Sequence, residues 1–222
     1  MEQTTLTRQQ ASAAVGDLGW RFLLGTLRTS VTVPSLSSAA AVVTSAVAAC
    51  GPDADGHLRA DVRASRVVLT LQSLAHAAVT TRDVELARRV TSALHSAGLR
   101  AEPAVQVLEI AIDALDIASI RPFWKAVLGY VDEPGAEGPE AAVVDPFGEG
   151  PAIWFQQMDQ PRPQRNRIHF DICVPHDEAR DRIESAVAAG GKVVSATSAP
   201  AFWVLSDAEG NEACITTWQG RD

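Results

Sequence analysis

Apolar and polar residues alternate most regularly in two short stretches of the second half of the chain. In the first, Leu108, Ile110 and Ile112 alternate with Glu109, Ala111 and Asp113. In the second, Ile168, Phe170, Ile172 and Val174 alternate with His169, Asp171 and Cys173. Successive side chains of a strand face opposite ways, so each stretch predicts a strand with one apolar and one polar face. A helical pattern follows each strand. Ile117, Ile120, Phe123, Trp124, Val127 and Leu128 lead to Gly129-Tyr130, and Ala186, Val187 and their neighbours lead to Gly190-Gly191. Pro122 is expected in the first turn of the earlier helix, where a missing N–H costs little. Further strands are predicted near 140–145, 151–157, 192–196, 201–206 and 212–218. Each half contains an Asp-x-x-Gly turn, Asp145-Pro146-Phe147-Gly148 and Asp207-Ala208-Glu209-Gly210. One supersecondary unit used twice accounts for all of this. The repeat makes Glu109 and His169 equivalent. Strands meeting across a pseudo-twofold would bring both into one cavity, where such groups are costly unless solvated, paired or bound.

The first hundred residues follow a different plan. Thr7 to Val15 predicts a helix with a capping box from Thr7 to Gln10. Residues 20–33 predict a hairpin around Gly25, with Leu27, Thr29, Val31 and Val33 alternating. A small-residue helix over 37–49 stops at Gly51, and strands follow near 57–63 and 66–74. A last helix from Thr80 to Ala97 carries a second box, Thr80 to Asp83, and ends at Gly98. The order is α-β-β-α-β-β-α, and Pro103 lies in a short link that follows. The chain is therefore expected to be α+β, with one domain over 1–100 and another over 106–222.

Composition removes several classes. A net charge of −8 over 222 residues, with no basic stripe, argues against nucleic acid as a partner. No apolar run approaches a membrane span, and the polar start MEQTTLTRQQ predicts no signal peptide. Cys50, Cys173 and Cys214 lack paired spacing, which fits reduced thiols and a cytoplasmic location.

The stretches LEIAIDALDIASIRPFWKAVLGY, NRIHFDICV and VLSDAEGNEACITTW make residues from about 107 to 219 resemble the vicinal-oxygen-chelate superfamily, nearest its glyoxalase-like branch. The resemblance implies paired βαβββ modules forming an open barrel around a ligand cavity. It also implies, for metal-dependent members, a divalent ion held by one residue from each of four strands. Those positions fall on Glu109, on Trp154 (or Gln156 after a register slip), on His169 and on Cys214. Trp154 is no ligand, and a Cys214 thiolate would suit a softer metal. A metal-free pocket is the expectation, with a divalent cation on Glu109 and His169 as the alternative. Trp154, Trp203 and Trp218, flanked by Phe155 and Phe202, point to a pocket for a flat or hydrophobic small molecule, with Gln156, Asp171 and Cys214 beside them.

Earlier in the chain, DGHLRADVRASRVVLTLQSLAHAAVTTRDVELA resembles the pterin-4a-carbinolamine dehydratases. Those enzymes use two adjacent histidines followed by proline, a third on the next strand, and an aspartate opening the last helix. Here the pair becomes Gly56-His57, the proline Leu58 and the third histidine Leu74, so His57 and Asp83 alone stay in register. Dehydration of a 4a-hydroxypterin needs one proton delivered and another removed, work suited to several imidazoles rather than one. His76 would share the face of Leu74 if that strand persisted. The dehydratase site is expected to be inactive, leaving a scaffold or dimerisation role. The leading function is a cytosolic glyoxalase-like small-molecule binder or lyase/isomerase-type enzyme, with Glu109 and His169 as acid/base candidates. The alternatives are an active 4a-hydroxytetrahydrobiopterin dehydratase using His57, and a non-enzymatic sequestering or resistance protein. Both resemblances imply a homodimer.

Overall fold

Polar residues set the helix starts in the first half as their spacing predicts. Thr7 accepts the Gln10 N–H while the Gln10 side chain accepts the Thr7 N–H, opening α1 (Arg8–Val15). The computed structural model describes residues 3–161 and 168–220. Asn166 and Arg167, part of the second repeat motif, lie outside the described residues. The chain divides into two units, Met1–Val107 and Leu108–Asp222.

In the first unit, β1 (Arg21–Leu23) and β2 (Thr26–Thr32) form a hairpin whose two turn residues, Leu24 and Gly25, both have positive φ. α2 (Leu36–Cys50) starts on the Ser35 hydroxyl and ends at Gly51. A single turn, α3 (Ala54–His57), leads into β3 (Leu58–Arg63), β4 (Arg66–Leu71) and α4 (Thr81–Ser96). The antiparallel sheet has the order β1-β2-β4-β3. One face carries Leu27 and Val31 of β2 with Val67, Leu69 and Leu71 of β4, all buried in one core with Ala39 and Val42 of α2 and Leu86 and Val90 of α4. Trp20 joins this core by donating its indole N–H to Thr91 Oγ1 at 2.9 Å. β4 stops at Leu71, short of residue 74. Beyond it Ser73 pairs only with Ala78, across a turn in which Ala77 has φ 48°.

The second unit repeats one order of elements. β5 (Glu109–Ala114), α5 (Ile117–Leu128), β6 (Val131–Asp132), β7 (Val143–Val144) and β8 (Ala152–Gln157) make the first module. β9 (Phe170–Cys173), α6 (Ala179–Ala188), β10 (Lys192–Ser195), β11 (Phe202–Ser206) and β12 (Glu212–Thr216) make the second. Their sheets run β5-β8-β7-β6 and β9-β12-β11-β10, with β5 parallel to β8 and β9 parallel to β12. The duplicated βαβββ plan is therefore present, with the opening strand of each module at a sheet edge. Pro122 departs from expectation: α5 begins at Ile117 on the Asp116 cap, so the proline lies in the second turn rather than the first. The shift leaves the Ala118 carbonyl without its usual helical donor. Ile112, Ile153, Phe155, Leu205 and Ile215 bury their side chains against Phe123 and Trp124 of α5. No helix among the described residues is long and apolar enough to cross a membrane.

Candidate functional site

The two Asp-x-x-Gly turns are built alike. The Asp145 carboxylate accepts the N–H groups of Phe147, Glu149 and Gly150 at 2.7–2.9 Å. Burial opposes its ionisation, but these donors outweigh it and hold the carboxyl below the usual carboxylate range. Asp207 accepts the N–H groups of Glu209 and Asn211 on Oδ1, at 3.0 and 2.8 Å. Its Oδ2 accepts the Asn211 side-chain amide at 2.7 Å and the Trp124 indole N–H at 3.0 Å. The turn of one module is thereby pinned to the helix of the other. Glu209 strengthens the link, accepting the N–H groups of Leu115 and Asp116 at the start of α5, at 2.9 and 2.7 Å.

Beside this turn, between the edge strands β5 and β9, opens a cavity of about 660 Å³. Ile110, Ile112, Trp124 and Phe170 supply apolar wall, and Asp113, Glu209 and Glu212 supply carboxylates. Among the described residues that line it there is no Lys, Arg or His. The size and the mostly apolar wall with few polar groups are those of small-molecule sites.

The residues singled out from the sequence are distributed otherwise. Register pairs Ala111 with Trp154 and Asp113 with Gln156, opposite the face of Ile112 and Phe155. Trp154, Gln156 and Glu109 are exposed, and none of the three lines the cavity. In the second module Cys214 pairs with Asp171 across the parallel β9–β12 ladder. His169 precedes β9, with Nε2 3.4 Å from Asp171 Oδ1. Trp203 pairs with Ile215 on the apolar face and packs against the core, while Trp218 lies past the end of β12, 61% exposed, with Nε1 3.3 Å from His176 Nδ1. The three tryptophans thus go to three places. The tryptophan that does line the cavity is Trp124, which its helical spacing marked as core; its buried N–H, requiring an acceptor, was the available signal. Glu209 and Glu212 were not singled out, although Glu209 stands inside a turn motif that was.

The four-position metal set implied by the resemblance does not fit. Trp154 offers no donor, and Glu109 is absent from the group of residues that converges. That group is His169, Asp171 and Cys214, whose ligand atoms lie within 4.8 Å of one another. Their nitrogen, oxygen and sulfur donors would suit a borderline cation such as zinc, which when bound would polarise a substrate oxygen.

In the first unit His57 and Asp83 meet in a buried pair, Nδ1 to Oδ1 at 2.8 Å. Asp83 Oδ2 also accepts the Thr80 N–H and hydroxyl, at 2.7 and 2.8 Å. Leu74, at the third histidine position, is exposed. His76 bonds Ser73 Oγ through Nδ1 at 2.9 Å. It stands in the turn after β4 rather than on a continuing strand, so the shared strand face with Leu74 does not form.

Comparison with known proteins matches each half separately. Residues 4–93 match the family described as pterin 4 alpha carbinolamine dehydratase, and residues 109–216 match the glyoxalase-like domain. Among solved structures, a glyoxalase-related enzyme from Fulvimarina pelagi is 17% identical, with 50% of this chain and 87% of that one covered at a TM-score of 0.41. A fosfomycin resistance protein from Listeria monocytogenes is 12% identical over 51% and 92%, at 0.40. A transcriptional coactivator/pterin dehydratase from Brucella melitensis is 22% identical over 40% and 98%, at 0.37. The curated proteins give no match. The chain thus joins a segment that matches the pterin 4 alpha carbinolamine dehydratase family to one that matches the glyoxalase-like domain.

Proposed function

We propose that the glyoxalase-like domain binds a small, flat or hydrophobic organic molecule in the cavity between β5 and β9. The observation that carries this is the lining, in which Ile110, Ile112, Trp124 and Phe170 supply an apolar wall beside a few polar groups. Binding, rather than a named reaction, is the activity assigned, because the acid/base candidates Glu109 and His169 stand outside the lining. A cytosolic homodimer completes the proposal; that none of the three cysteines forms a disulfide supports a reducing compartment.

The test uses the flat fluorescent dye berberine, which should bind the intact chain saturably at one site. Ile110→Trp fills the cavity and should abolish berberine binding while the circular dichroism spectrum is kept. Absence of saturation, or unchanged binding in the filled variant, would reject the site.

For the first domain we propose a structural rather than a dehydratase role. His57 is buried with one nitrogen committed to Asp83, and no second imidazole stands at the position of Leu74. The chain should show no turnover of a 4a-hydroxytetrahydropterin above the uncatalysed rate. Turnover that disappears in His57→Ala would overturn this assignment.

A further inference from the structure

The face of the first sheet that points away from its core carries a row that only the strand register reveals. Arg21 of β1 pairs with Arg28 of β2, Arg28 pairs with Thr70 of β4, and Thr70 pairs with Arg59 of β3. Cross-strand partners project to the same side. The row therefore reads Arg-Arg-Thr-Arg across all four strands. Like charges placed opposite one another oppose folding. The carboxylates on the same face are engaged elsewhere: Asp61 pairs with Arg63 through two bonds, and Glu102, the bridge partner of Ser30, accepts the Thr32 hydroxyl. Arg21 donates to the carbonyl oxygens of Gly16 and Trp20, and Arg28 donates through Nε to Thr26 Oγ1. Among the described residues neither arginine, nor Arg59, has a carboxylate partner.

Thr70, 7% exposed, places a hydroxyl between Arg28 and Arg59. Burial and the neighbouring Arg59 charge both work against the charged form of Arg28, so an anion placed there relieves an existing strain. The backbones of Arg28 and Arg59 stand two strand spacings apart, about 10 Å. Long side chains from both can close on a tetrahedral oxyanion above Thr70. Guanidinium forks match phosphoryl oxygens in pairs.

We infer that Arg21, Arg28, Thr70 and Arg59 form a binding site for the phosphoryl group of a small phosphate-bearing molecule, on the open face of the first sheet. The face presents no aromatic residue along this row on which bases could stack, which favours a small ligand over a nucleic-acid strand.

Calorimetric titration of the full chain with inorganic pyrophosphate in chloride buffer tests this. Saturable binding with one site per chain is expected. Arg28→Gln and Arg59→Gln should each weaken it about tenfold or more, Thr70→Val by a few fold, and Arg88→Gln, on the exposed side of α4, not at all. Without ligand, Arg59→Gln should raise the thermal midpoint, because it removes the repulsion with Arg28. A variant that binds less while melting higher cannot owe its defect to unfolding. Absence of saturation, equal weakening by Arg88→Gln, or Arg59→Gln lowering affinity and midpoint together would overturn the site. Tighter binding of a single-stranded oligonucleotide than of pyrophosphate would overturn the small-ligand assignment.

Discussion

Asp83→Ala should destabilise the first domain by about 3–5 kcal/mol, the loss typical of breaking a buried pair from one side. Asp83 is fully buried, and its two oxygens hold three donors: His57 Nδ1, the Thr80 N–H and the Thr80 hydroxyl. The substitution strands all three in a site from which water is excluded, and each unsatisfied group costs about 1–3 kcal/mol on its own. It also removes the side chain that completes the capping box at the start of α4. Urea denaturation followed by hydrogen exchange in residues 3–100 measures the change. Asp83→Asn, which keeps one good acceptor, should lose clearly less. Equal losses in the two variants would mean that charge, not hydrogen bonding, dominates the pair.

Asp207→Ala should cost about 2–4 kcal/mol in the second domain and also weaken berberine binding about tenfold. Asp207 is 1% exposed and organises the turn through four bonds, one of them to the Trp124 indole. Loss of the carboxylate frees the strip that carries Glu209 and Glu212, and so loosens one wall of the cavity. Stability and affinity should fall together here. Glu209→Gln, which retains an acceptor toward Leu115 and Asp116, should lose little of either. Urea denaturation and dye titration give the two readouts.

The helix caps show why so much of the architecture was legible. Thr7 with Gln10 and Thr80 with Asp83 act within four residues, so spacing alone identifies them. The module repeat was visible for a similar reason: strand alternation, helix and Asp turn recur as local patterns. The site was less legible because it depends on partners far apart in the chain. Which face of β12 carries Cys214, and whether Trp203 joins it or the core, follows from pairing with β11 and β9. The cavity itself arises where β5 and β9 present their edges, and two of its three carboxylates, Glu209 and Glu212, lie nearly a hundred residues beyond β5. Alternation makes Glu109 and His169 equivalent but carries no information on where the space between modules opens. The arginine row was invisible for the same reason, since Arg21, Arg28 and Arg59 meet only through register.

The space between β5 and β9 is tested as a small-molecule site most directly by nuclear magnetic resonance of the full, isotope-labelled chain titrated with berberine. Saturable shifts should concentrate in the amides of residues 110–113 and 209–212 and in the Trp124 indole N–H, and should vanish in Ile110→Trp. Shifts centred instead on His169, Asp171 and Cys214, or no saturation at any site, would contradict it.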